Sequence, residues 1–158
     1  MSHHEVGFIG LGAMGFPMAQ NLQQYLSSLS KSLHVYNRTI EKANPLRFKG
    51  STIESSPLDI AKKCNIIFCM VFNDEALMST VKDLLPSLKK GCIFISCVTA
   101  LPETLTTIVE ELKTIKVDVI SCPVFGRPDA AAEKKLITAM AGAPERKMEI
   151  KPYVEVCI

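Results

Sequence analysis

The sequence has no tryptophan, only 8 glycines and 9 prolines, and no charge of one sign in excess: 18 Lys and Arg stand against 16 Asp and Glu, a net of +2. The scarcity of glycine and proline excludes collagenous and low-complexity chains, and with 47% hydrophobic and 22% charged residues the chain is not disordered. Like charges never run beyond pairs such as Lys62-Lys63 and Lys134-Lys135. This gives no sign of a nucleic-acid or membrane-surface partner. No apolar run nears the roughly 18 residues of a membrane helix, and Met-Ser-His-His-Glu opens the chain without a basic leader. A cytoplasmic setting is expected. No C-x-x-C pair occurs among Cys64, Cys69, Cys92, Cys97, Cys122 and Cys157, which mostly sit in or beside apolar runs, so buried free thiols are favoured over disulfides or zinc. At 158 residues there is room for one domain, since domains average roughly 100–200 residues.

What is present is alternation. Short apolar runs at Val6-Gly7-Phe8-Ile9, Leu33 to Tyr36, Ile66 to Val71, Ile93 to Ile95, Val117 to Ile120 and Leu136 to Met140 read as buried strands. Between them, 17–29, 57–63, 75–88, 102–115 and a short stretch near 129–134 have helical period. Strand and helix in repeated turn predict an α/β, Rossmann-type, doubly wound and mainly parallel sheet in a single domain spanning 1–158. Ser56-Pro57-Leu58-Asp59 predicts a capped helix start. Lys89-Lys90-Gly91 predicts a helix end with a left-handed glycine cap. No internal repeat or linker is present.

Directly after the first strand stands Gly10-Leu11-Gly12-Ala13-Met14-Gly15, a G-x-G-x-x-G opening a helix. In that context Gly10 serves a tight turn, Gly12 lets a pyrophosphate approach the backbone, and Gly15 lets helix and strand pack closely, with phosphates at the helix N-terminus. The alternative is a purely structural turn. After the second strand, where an NAD-binding domain usually carries an Asp or Glu for the adenosine ribose, the chain has Asn37-Arg38-Thr39. A neutral amide, a planar guanidinium and a hydroxyl suit the 2′-phosphate of NADP. The missing carboxylate also counts against an S-adenosylmethionine methyltransferase.

Phe8-Ile9-Gly10-Leu11-Gly12-Ala13-Met14-Gly15-Phe16-Pro17-Met18-Ala19, followed by Asn37-Arg38-Thr39, resembles the N-terminal domain of the β-hydroxyacid dehydrogenases, the family of 3-hydroxyisobutyrate dehydrogenase and 6-phosphogluconate dehydrogenase. Met70-Val71-Phe72-Asn73-Asp74 is similar to the family's loop along the cofactor, Pro102-Glu103-Thr104 to the helix start after its substrate motif, and Cys122-Pro123-Val124-Phe125-Gly126 to its A-P-V-S-G-G segment. The resemblance implies that Gly10, Leu11, Gly12, Ala13, Met14, Gly15, Asn37, Arg38, Thr39, Val71, Phe72 and Thr99 contact NADP.

Departures fall on the substrate side. Ser96-Cys97-Val98-Thr99 stands where the family has D-x-S-T, so Val98 replaces the carboxylate-binding serine. Phe125-Gly126-Arg127 stands in place of S-G-G. A small hydroxyacid substrate is therefore doubtful. The family's G-x-x-x-K-x-x-N, which bears its catalytic lysine in a helical second domain, does not occur, and Lys147 and Lys151 resemble lysines of a surface helix. The resemblance thus implies a truncated chain, incomplete at its C-terminal end, that binds NADP but does not catalyse hydride transfer alone. Exposed apolar surface is then expected to drive self-association. The alternatives are a non-catalytic, NADP-responsive interaction module, and a truncated product with no role of its own. His3, His4 and His34 are dispersed, with no acidic partner at helical spacing, so neither a metal site nor a catalytic base is expected there. The methionines read as core filler, with Met14 placed to touch cofactor.

Overall fold

The computed structural model describes residues 4–158; His3 lies outside them. Its main sheet is six-stranded and wholly parallel, ordered β3-β2-β1-β4-β5-β6, with β1 Val6–Ile9, β2 His34–Tyr36, β3 Thr52–Ile53, β4 Ile66–Cys69, β5 Ile93–Ser96 and β6 Asp118–Ser121. Every residue of β1, β4 and β5 is buried. Strands covered on both faces must be apolar on both, which is why these runs are continuous and not alternating.

Among the described residues seven α-helices accompany the strands: α1 Gly15–Ser28, α2 Asn44–Arg47, α3 Pro57–Lys63, α4 Asp74–Leu84, α5 Pro102–Thr114, α6 Pro128–Ala132 and, after the last strand, α7 Pro144–Cys157. The pleat divides the core in two. Phe8, Phe68 and Ile95 point to one face, with Met18 and Leu22 of α1, Ala131 of α6 and Ile150 and Val154 of α7. Ile9, Ile67 and Phe94 point to the other, with Ile60 of α3, Leu77 and Val81 of α4 and Ile108 of α5. Phe8 and Phe68, neighbours across β1 and β4, stack with centroids 5.9 Å apart and planes 7° from parallel.

Local chemistry at α3 is as expected. The Ser56 hydroxyl accepts the Asp59 backbone N–H at 3.2 Å, while Ser55 and Ser56 donate to the Asp59 carboxylate at 2.7 and 2.8 Å. These two hydroxyls hold the Asp59 carboxyl below its ordinary range.

Several expectations are corrected. β3 is a strand that the pattern of apolar residues does not predict, because its two residues carry no period. The run Leu136 to Met140 does not join the parallel sheet: β8, Ile137–Thr138, pairs antiparallel with β7, Val124–Phe125, as a separate ribbon, and Ala141 bridges antiparallel to Ser121. The fourth helix ends at Leu84 and continues only as a 3₁₀ turn, Leu85–Ser87, because Pro86 has no N–H to extend the ladder. Gly91 does have positive φ, +84°, but its N–H donates to the Lys116 carbonyl at 2.8 Å. It turns the chain into β5 and does not cap a helix. Two of the three histidines have acidic partners supplied by tertiary structure: His4 Nε2 lies 3.2 Å from Glu149, and His34 lies 2.7 Å from Glu54 and 3.6 Å from Glu5. All six cysteines are buried and free, and burial pushes Cys64, Cys69 and Cys92 up to about 12.

Candidate dinucleotide-binding site

From β1 the chain crosses to β2 on one side and later to β4 on the other, so connections leave the carboxyl ends of β1 and β4 in opposite directions. In open α/β sheets such a reversal creates a ligand crevice. Here a cleft of about 850 Å³ opens at that point, lined by the loops after β1, β2 and β4 and by one face of α4.

The three glycines of the first loop differ in what they permit. Gly10 has φ +96°, and a side chain there would collide with the Met70 carbonyl of the neighbouring loop. Gly15 sits against the Gly10 carbonyl and, at 3.3 Å for an added carbon, against the Phe8 ring. Both are required by the turn itself. Gly12 is different: its φ is ordinary, and a side-chain carbon there would meet no protein atom within 4 Å. The open space lies in the cleft.

The first turn of α1 faces that space. Met14 precedes the helix with no side-chain cap, and no acidic residue lies in the first turn. Among the described residues, the backbone N–H groups of Ala13, Met14 and Gly15 have no acceptor. Orphan donors and the positive end of the helix dipole together attract an anion.

Asn37, at the end of β2, is a brace. Its carbonyl accepts the Leu11 N–H at 2.8 Å and its amide donates to the Thr39 carbonyl at 2.8 Å. It ties the loop after β1 to the loop after β2. Arg38 and Thr39 are exposed at the cleft, as is Lys42 in the 3₁₀ turn Ile40–Ala43. Among the described residues neither Arg38 nor Lys42 is in an ion pair.

Beyond β4, Met70, Val71 and Phe72 line the opposite end, with the Phe72 ring 96% exposed. Asn73 caps α4 by accepting the Ala76 N–H at 2.9 Å. Asp74 accepts the Leu101 N–H at 2.9 Å, pinning the loop after β5. A hydrogen bond from Thr104 and the one from Leu101 hold the Asp74 carboxyl below its ordinary range.

Of the residues singled out from the sequence, Gly10, Gly12, Ala13, Met14, Gly15, Asn37, Arg38, Thr39, Val71 and Phe72 converge on the cleft. Leu11 is buried below it and contributes only its N–H to Asn37. Thr99 is exposed on the loop after β5, outside the lining. Lys42, Ser79 and Asp83 were not found from sequence, yet all line the cleft. The signal was available: Lys42 follows Arg38 by one helical turn, and Glu75, Ser79 and Asp83 recur at intervals of four. Val98 is buried, while Phe125 and Arg127 are exposed on and after β7.

Residues 5–157 match the family model described as the NAD binding domain of 6-phosphogluconate dehydrogenase. The chain belongs to this family. Similar members include human mitochondrial 3-hydroxyisobutyrate dehydrogenase, 32% identical over 143 residues, covering 89% of this chain and 41% of that protein. The NADH-dependent oxidoreductase ucdB of Aspergillus ustus is 29% identical over 144 residues, 90% of this chain and 50% of that one. A solved structure of Psf3 in complex with NADP+ and 2-OPP superposes with a TM-score of 0.86 at 29% identity, over 96% of this chain and 54% of the other. The chain spans about half the length of the curated relatives it matches. The family assignment bears out both the resemblance to β-hydroxyacid dehydrogenases and the Rossmann-type fold. No helix among the described residues is long and apolar enough to cross a membrane.

Proposed function

We propose that this chain binds NADP(H) in the cleft and forms the dinucleotide-binding half of an oxidoreductase of the β-hydroxyacid dehydrogenase type. The observation carrying this reading is the pairing of an open anion cradle with two free cations. Gly12 and the uncapped N-terminus of α1 leave room and donors for a pyrophosphate. One strand away, Arg38 and Lys42 stand unpaired where a ribose-binding carboxylate would otherwise sit.

The residues present fit the cofactor. The Ala13 to Gly15 amides would hold its phosphates, Arg38, Thr39 and Lys42 its 2′-phosphate, and Val71 and Phe72 would border the nicotinamide. Bound there, the nicotinamide supplies hydride donor and acceptor chemistry. This chain's own groups bind and orient it; the apolar Met70 to Phe72 wall offers no proton donor or acceptor side chain. With Val98 buried and no hydroxyl in its place, the 158 residues bind cofactor without turning over hydroxyacids. Phe48, Phe72, Phe125, Ile137 and Met148 are more than half exposed, which favours self-association at raised concentration.

Relatives use either dinucleotide, so the deciding test is direct titration. NADPH should bind about 10- to 100-fold more tightly than NADH, the worth of one charge-assisted hydrogen bond of roughly 1.5–3 kcal/mol. Arg38→Ala should remove most of that preference and Lys42→Ala part of it. Equal affinities in the unaltered chain would refute the NADP assignment. Turnover of 3-hydroxyisobutyrate or 6-phosphogluconate at about 1 per second or faster by the 158-residue chain would refute the catalytic part.

A further inference from the structure

The dinucleotide cleft accounts for the first loop, the β2 end and α4, but not for a group of thiols at the other end of the sheet. The β5–β6 register pairs Ser96 with Ser121. The next residue on each strand is a cysteine, Cys97 and Cys122, and the Cys122 N–H donates to the Ser96 carbonyl at 2.7 Å. Both side chains point to the α1/α7 face, where Cys157 of α7 also lies. Neighbouring strands run about 4.8 Å apart, within the 4.4–6.8 Å Cα separation that a disulfide spans.

Cys122 is buried, and Thr138 links it to a cavity. The Thr138 hydroxyl donates to the Pro123 carbonyl at 2.8 Å and turns its oxygen to the Cys122 sulfur, 3.1 Å away. Thr138 in turn lines a second cavity of about 240 Å³ between β8 and the end of α7, alongside Met140, Lys151 and Val154. That cavity has room for a small polar oxidant, and Thr138 both lines it and touches the buried Cys122 sulfur.

We propose that Cys122 and Cys97 form a peroxide-reactive dithiol, entered through the cavity beside Thr138, whose oxidation ties the end of β5 to the end of β6. The Cys122 thiol gives up its proton, and its thiolate attacks one oxygen of hydrogen peroxide. The O–O bond breaks, hydroxide leaves and takes up a proton as water, and Cys122 becomes a sulfenic acid. The Cys97 sulfur then attacks the Cys122 sulfur; the S–O bond breaks, the Cys97 proton leaves with the hydroxyl as a second water, and the S–S bond forms. Two thiols and one peroxide become one disulfide and two waters. The asymmetry of the pair fits these roles: the neighbouring Cys97 thiol holds Cys122 below the ordinary thiol range, while that same hydrogen bond and burial hold Cys97 well above it. The bond would fix the segments that carry Val98, Thr99 and the Pro123 to Arg127 turn, so it would act on the substrate side and leave the phosphate cradle alone.

The test is peroxide treatment of the reduced, folded chain followed by thiol titration and peptide mapping without reductant. The reactive thiol count should fall from six to four, the intact mass by about 2 Da as two hydrogens are lost, and the linked peptides should be those of Cys97 and Cys122, with recovery on adding dithiothreitol. Cys97→Ser should stop at a sulfenic acid on Cys122 that dimedone traps, and Cys157→Ser should change neither the product nor its rate. Six thiols surviving in the oxidised sample, or a first disulfide joining any other cysteines, would overturn the proposal. The map of the unaltered chain decides this even if the Cys97→Ser chain does not fold.

Discussion

Gly12→Val and Gly10→Ala, two substitutions two residues apart, should act on different properties. At Gly12 the backbone is ordinary and the space around an added carbon is empty for 4 Å, so the fold has no reason to resist a side chain. A surface change of that kind shifts stability by no more than about 0.5 kcal/mol, or about 1–2 °C in Tm for a chain of this size. The branched side chain would, however, fill the space a pyrophosphate needs above the Ala13 to Gly15 amides. Losing two charge-assisted hydrogen bonds at roughly 1.5–3 kcal/mol each removes about 3–6 kcal/mol, or about 10²- to 10⁴-fold in NADPH affinity. Gly10→Ala reverses the pattern. A side chain at φ +96° costs about 1–2 kcal/mol, and the collision with the Met70 carbonyl adds backbone displacement. A total near 2 kcal/mol lowers Tm by about 4–8 °C. Thermal unfolding and NADPH titration on both variants separate the two effects. Retained NADPH affinity in a folded Gly12→Val chain would refute the cradle, and an unchanged Tm in Gly10→Ala would refute the turn.

Asn37→Asp keeps an oxygen for the Leu11 N–H, loses the hydrogen bond donated to the Thr39 carbonyl and sets a negative charge against a 2′-phosphate; the NADPH-to-NADH affinity ratio should fall about tenfold or more, measured by fluorescence titration. Phe68→Ala removes the partner that stacks on Phe8 at the centre of the sheet and should destabilise the chain by about 3–5 kcal/mol in urea unfolding, with cofactor affinity at saturation of folding unchanged. The Asp74 carboxyl titrates lower when folded than when unfolded, because Thr104 and Leu101 donate to it. Its contribution to stability is therefore full above the unfolded value near 3.8 and is lost as pH falls through the lower folded value. Asp74→Asn should flatten the acid limb of the stability curve below about pH 4, and identical acid limbs would refute that assignment.

What the sequence determined by itself was whatever depends on neighbours along the chain. The apolar runs of β1, β4 and β5 specify their central, doubly covered places because no other environment suits four apolar residues in succession. The glycine fingerprint marks the tight turn after β1 because φ and close approach are local demands, and Ser56 caps α3 for the same reason. Arg38 reaches the cleft because it directly follows a strand.

Tertiary structure alone decided what depends on pairing across the sheet. The edge strand β3 has two residues and too little period to be read, and it exists because β2 offers it a free edge. The run at Leu136 to Met140 is as strand-like as the others, yet the β6 edge receives it only at Ala141, while β7 takes up the rest. Asn37 is also a brace between loops, which the sequence does not show, because the loop that contains Leu11 closes over it from 26 residues away. His34 shows the same limit. A search for carboxylates at helical spacing finds none, but the β2–β3 register sets His34 beside Thr52, and Glu54 follows on that strand's exit to meet both the His34 ring and Lys63 at 2.7 Å. Strand register is fixed by burial of whole faces, which no stretch of sequence shorter than the fold contains.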